Sequence, residues 1–201
     1  MKVTWLLFAA IVMLSVGGAY AEGPTQQEEA APKLAATLDE MKQQHVLLGT
    51  EPQGAVKCFM DAVFVYMNEE TRDQGREMLQ YLAIPLMSES SWDRLPGNRL
   101  FAERMVNPQY HHIWRSYAKG TSPDNGYQMD PNNWELNFER IHRHDDDDRG
   151  LQVYLRSSGA DNPRVVYVKQ STTSGLWYLN IWHTLFVGVK PPVDPTQEVF
   201  K

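Results

Sequence analysis

The hydrophobic period of this chain changes once, near Asn133, and that change decides what it can fold into. Upstream, apolar residues recur every three or four positions, the spacing of one helix face. Val56, Phe59, Met60, Val63 and Met67 form such a stripe, and Asn68-Glu69-Glu70 closes it. Thr71 and Gln74 then fit a capping box, with Met78, Leu79 and Leu82 on the next helix, which stops before Pro85. A short helix is expected over Leu100 to Val106. Another is expected after Asn107-Pro108, with Tyr110, Ile113, Trp114 and Tyr117 on its apolar face and Gly120 ending it. Downstream, the alternation is twofold. Trp134, Leu136 and Phe138 form one set, Leu151, Val153 and Leu155 a second, and Val166 and Val168 a third. Trp177, Leu179 and Ile181 open a last strand that extends toward Val187. The turn-rich loops 144–150, 157–163 and 171–175 are short enough to pair these strands as an antiparallel meander. Helices first and a four-stranded meander after them predict an α+β fold with the helices packed on one face of a curved sheet.

The first 21 residues carry a different signal. Lys2 precedes the apolar run Trp5 to Val16, Gly17-Gly18 breaks it, and Ala19-Tyr20-Ala21 is an A-x-A cleavage signal. The run is shorter than the roughly 20 residues a spanning helix needs. Export with cleavage after Ala21 is therefore expected, to the bacterial periplasm or beyond, with no membrane span afterwards. Residues 22–52 are polar and carry Pro24, Pro32 and Pro52. They are expected to form a tether, with a thin helical stripe of Leu34, Leu38 and Met41 loosely attached. A single α+β domain is expected over 53–195, followed by a tail at 196–201.

Charge and cysteine usage narrow the functional classes. The net charge of −6 becomes −7 without Lys2. No basic cluster offsets it, which argues against nucleic acid and anionic membrane surfaces as partners. Cys58 is the single cysteine, so no internal disulfide forms and core packing must hold the fold. It is expected to be a buried small hydrophobe, because Lys57 points elsewhere on the helix. There is no G-x-S-x-G, phosphate loop, H-E-x-x-H or C-x-x-C, and no cofactor is expected.

Three groups of residues could carry chemistry. His142 and His144 share a strand face next to an acidic loop, where Asp145 and Asp147 would supply oxygen ligands for a divalent cation; a solvated hairpin loop is the plainer reading. Asp61, His111, His112 and Asp130 are the candidate acid–base residues, since proton transfer needs a carboxylate or imidazole within reach of the substrate. As neighbours on a helix, His111 and His112 cannot both face inward. Tyr117, Tyr178, Trp182 and His183 are the candidate ligand or partner contacts, because Trp182 and Tyr178 have the opposite parity to Trp177. Trp114, Trp134 and Trp177 fall at periodic core positions.

Taken with its leading helix AVKCFMDAVFVYM and closing GLWYLNIWHT, the arrangement resembles the nuclear transport factor 2-like (SnoaL-like) α+β cone. The helical half lacks the short strand or hairpin that this superfamily usually carries there. The segments 116–136, 156–168 and 187–195 resemble a family of exported bacterial proteins of unknown function. The resemblance implies an exported α+β domain and, from cone folds, a homodimer; it implies no activity. The favoured function is non-enzymatic binding of a partner protein or small apolar ligand. The alternative is a small acid–base enzyme, a hydrolase or isomerase, with a cavity between helices and sheet.

Overall fold

The computed structural model describes residues 33–88, 92, 95–142, 148–194 and 196. The expected signal peptide, the first part of the expected tether and nearly all of the tail lie outside them. Among the described residues five helices, α1 (Leu38–Leu48), α2 (Pro52–Met67), α3 (Arg72–Leu82), α4 (Pro96–Val106) and α5 (His111–Arg115), precede four strands, β1 (Phe138–His142), β2 (Leu151–Leu155), β3 (Arg164–Gln170) and β4 (Trp177–Ile181). The strands form one antiparallel sheet in the order β1-β2-β3-β4, so the fold is α+β with a four-stranded meander. Among the described residues no helix is long and apolar enough to cross a membrane.

α2 is the axis of the core. Its sequence is apolar almost all round, which demands burial on every side. Val56, Cys58, Phe59, Met60, Ala62 and Val63 are fully buried. α1 and α3 pack against it, as do the inner faces of β2 and β4. Val153, Leu155, Val166, Val168 and Leu179 supply the sheet side of that core. Gly75 makes the α2–α3 contact possible: a Cβ there would stand 2.3 Å from the Tyr66 backbone nitrogen.

Several elements differ from expectation, each for a physical reason. The helix near residue 40 is not loosely attached: Met41 and His45 are fully buried against the rest of the fold. Its start is marked by Thr37, whose hydroxyl accepts from the Glu40 amide, while the Glu40 carboxylate accepts from the Ala36 amide. Thr71 stands at the N-cap of α3 but caps nothing, because its hydroxyl donates to the Val65 carbonyl at 2.7 Å instead. α4 begins earlier than expected, at Pro96, and the following helix ends at Arg115, leaving Gly120 in a later turn at φ +80°.

The first strand starts at Phe138, not Trp134. Residues 135–137 pair with the chain after α5 through Lys119 N–H to Glu135 O and Asn137 N–H to Tyr117 O, and Trp134 is drawn inward. A bulge after Phe138 and the Glu139–Arg156 ion pair at 2.8 Å interrupt this exposed edge, a common protection against edge pairing. At the other edge, Ala83 forms a parallel bridge to Leu179. β4 ends at Ile181. The chain then turns, with Leu185 N–H donating to Trp182 O at 2.9 Å, and this turn ends the strand parity.

Candidate functional site

An open groove of about 780 Å³ lies between the helices and the β3–β4 hairpin. Glu77, Gln80 and Tyr81 share one face of α3 by their three- and four-residue spacing. Ile84 and Met87 follow in the turn after it. Leu38 comes from the start of α1, and Tyr178 and Lys169 stand opposite each other on β4 and β3. The walls are mostly apolar, with one acid and one base on opposite sides.

Beneath the groove lies His45, absent from every sequence-based candidate set. Its Nε2 is 2.7 Å from the Trp177 carbonyl oxygen and its Nδ1 is 3.1 Å from the Tyr81 hydroxyl. The His45 ring meets Tyr81 edge-on at 5.4 Å and Tyr178 at 4.9 Å, and the two tyrosines meet each other at 6.0 Å. Burial holds the imidazole below its ordinary pKa, against the opposing pull of the Trp177 carbonyl. Burial pushes the Tyr81 phenol above its ordinary range, and the neighbouring Tyr178 phenol adds to the shift. One signal could have found His45: it falls one turn after Met41, on the buried face of α1.

The acid–base candidates are dispersed. Asp61 is 1% exposed, and both of its carboxylate oxygens lie 2.7 Å from the Lys57 ammonium. The Trp134 indole N–H donates to Oδ1 at 2.9 Å, and Lys57 sits 4.3 Å from the Trp134 ring centre. Burial pushes the Asp61 carboxyl up; Lys57 and then Trp134 pull it back. Asp130 is exposed, and its side chain accepts from the Asn132 amide at 2.9 Å. With Trp134 and Glu135 it lines a cleft of about 350 Å³. His111 donates from Nε2 to the Met105 carbonyl at 2.8 Å, and His112 from Nδ1 to the Gln109 carbonyl at 2.9 Å. Neither imidazole lines the groove or the cleft.

The aromatic candidates divide. Tyr178 lines the groove. Tyr117 is fully buried and donates to the Leu185 carbonyl at 2.7 Å, and burial pushes its phenol upward. Trp182, expected at the surface, is fully buried beside Phe59 and Phe101, because the strand whose parity would have exposed it stops one residue earlier. His183 is exposed, stacks on Trp182 at 5.3 Å and covers Gly97, where a Cβ would meet its Nε2 at 2.7 Å. Trp114 and Trp134 are core residues, and Trp177 is half-buried. His142 is exposed at the end of β1, while His144, Asp145 and Asp147 lie outside the described residues. Among the described residues no three potential ligands gather for a metal ion.

The histidines give the fold a defined response to acid. Burial lowers the pKa of His45, His111, His112 and His183 from the ordinary value of 6.5. Above that value neither folded nor unfolded chain holds the proton, and the groups contribute nothing. Below it the unfolded chain takes up protons that the folded chain excludes, so stability falls until the lowered folded values are passed. Each excluded proton contributes at most about 1.4 kcal/mol per pH unit. His45 contributes most, since the other three are partly solvated. Asp61 acts in the opposite sense, because its raised carboxyl binds a proton first in the folded state. Urea midpoints measured from pH 7 to pH 5 are expected to fall, with a shallower fall in His45→Gln. An unchanged slope in that variant would remove His45 as the source.

No curated protein and no solved structure matches this chain. A family profile described as a domain of unknown function (DUF6935) matches residues 33–193, spanning α1 to the chain beyond β4, and the chain belongs to that family.

Proposed function

We propose that this is an exported, non-catalytic binding domain whose groove between α3 and the β3–β4 hairpin seats a small, largely apolar ligand. One observation carries the reading: a groove of about 780 Å³, within the usual range for ligand sites, is walled by Tyr81, Tyr178, Leu38, Ile84 and Met87. The dispersal of the acid–base candidates supports it further. His111 and His112 bond to nearby backbone carbonyls, and Asp61 is saturated by Lys57 and Trp134. Export rests on the Lys2, apolar-run and A-x-A pattern. Helices on one face of a meander support the nuclear transport factor 2-like reading of the fold, and the homodimer follows from that likeness alone.

The test uses N-phenyl-1-naphthylamine, a neutral apolar fluorophore. Its emission is expected to rise on binding the purified protein. Ile84→Asp places a charge on the apolar wall and is expected to weaken binding about tenfold or more. Equal binding by the variant, or none by the parent protein, would sink the groove as the site. Native mass spectrometry of the exported fraction reads retained ligand and association state together.

The enzyme reading keeps one favourable observation, the raised carboxyl of Asp61 behind the cleft that Asp130 lines. It requires that an Asp130→Asn variant lose a measurable hydrolase or isomerase activity while retaining its melting temperature.

A further inference from the structure

The groove carries two opposite charges that do not meet. Of its described lining residues only Glu77 and Lys169 are charged, one on α3 and one on β3. They stand on opposite walls, and among the described residues neither has an ion-pair partner. The two walls also differ in hydrogen-bonding sense. Beside Lys169, the turn of the β3–β4 hairpin brings Ser171 and Thr172 to the rim. The Ser171 oxygen accepts from the Thr173 and Ser174 amides at 3.3 and 3.2 Å, which leaves its own proton to donate. The Thr172 hydroxyl has no partner among the described residues. Gln170 is turned to the loop instead, its Nε2 donating to the Gly175 carbonyl at 2.8 Å. The hairpin wall is therefore rich in donors, an ammonium and two hydroxyls. The helical wall offers the Glu77 carboxylate, which only accepts. Between the walls, Tyr81, Ile84, Met87 and Tyr178 supply a largely apolar floor.

We infer that the groove selects an apolar zwitterion, an apolar amino acid or short apolar peptide, whose ammonium faces Glu77, whose carboxylate faces Lys169 with Ser171 and Thr172, and whose side chain lies against Tyr81 and Ile84. This rests on the groove being the binding site. Charge complementarity decides the class. An anion gains from Lys169 and is opposed by Glu77, and a cation meets the reverse. An uncharged ligand would take water from both charges and return nothing to either. A zwitterion in one orientation answers both, and in the other orientation neither, so the same pair fixes the direction of binding. At about 780 Å³ the groove has room for one residue or two.

The experiment measures displacement of N-phenyl-1-naphthylamine from the purified protein at pH 7. The probes are phenylalanine and leucylphenylalanine, each free, N-acetylated, C-amidated and blocked at both ends. The free form of one or both is expected to bind about threefold or more tighter than each of its blocked forms. Which of the two shows this tells amino acid from peptide. Glu77→Gln is expected to bring the free and acetylated forms to parity while keeping the advantage of the free over the amidated form. Lys169→Met is expected to do the converse. Both positions are exposed, and thermal melts confirm that the variants fold. If the doubly blocked forms bind as tightly as the free ones, or if the preferences persist in both variants, the inference is overturned and the groove stands. Dye that binds the parent protein but not Ile84→Asp, and that no probe displaces, has the same meaning. Dye that fails to bind the parent protein, or binds Ile84→Asp equally, removes the groove and the inference with it.

Discussion

Asp61→Ala is expected to destabilise the protein by about 3–5 kcal/mol, because it leaves a charged partner in the interior with nothing to answer it. Lys57 is only 14% exposed along its side chain and both of its contacts to Asp61 are 2.7 Å. The Trp134 indole N–H loses its acceptor in the same step. The double variant Lys57→Met, Asp61→Leu keeps the volume and removes both charges. It is expected to lie within about 1–2 kcal/mol of the parent protein, since a buried ion pair and a matched apolar pair are close in stability. Urea unfolding of the single and double variants separates the two effects. If Asp61→Ala unfolds at the parent midpoint, the pair is not buried as described. The same data bear on function. A residue kept for catalysis is typically dispensable for stability, whereas one kept for the α2–Trp134 junction is not.

Gly75→Ala is expected to cost about 3 kcal/mol or more, an unusually large effect for one methyl group on a helix. Alanine is the better helix former, by about 1 kcal/mol, so propensity alone predicts the opposite sign. Contact decides it. A Cβ at position 75 would lie 2.3 Å from the Tyr66 nitrogen and 2.5 Å from its Cα, and backbone cannot rotate aside as a side chain can. α2 and α3 would have to separate, opening the core around Met78 and Leu79, both fully buried. The melting temperature of the purified variant reads this directly. A gain in stability would mean that the two helices are further apart than described.

The parts of the fold that follow from local periodicity were legible in the sequence, and the parts that depend on distant partners were not. β2 shows why. Leu151, Val153 and Leu155 alternate because one face meets α2, and the pattern survives intact into the structure. Trp134 has the same apparent alternation, but its indole answers an aspartate 73 residues away, and that contact pulls the chain out of the ladder. Trp182 was assigned by a parity that ends with β4 at Ile181. α1 looked thin because one of its two buried anchors is a histidine, which no apolar pattern counts. The bond that makes His45 a core residue spans 132 positions, to the Trp177 carbonyl. The groove was half visible for the same reason. Tyr178 stood out by strand alternation, but Tyr81 and His45 join it only once α1, α3 and β4 are brought together.

Cys58 gives the molecule a built-in clock. Burial pushes its thiol up to about 12, and the side chain has no exposed surface, so the folded protein presents nothing for an alkylating or oxidising reagent to attack. Opening α2 to solvent restores an ordinary thiol. The rate at which a thiol reagent labels Cys58 therefore counts how often the core opens, without any introduced probe. In an oxidising compartment the same arrangement means that two copies cannot become cross-linked through this residue while they remain folded. A covalent dimer on a non-reducing gel would be a direct record of chains that had lost their core.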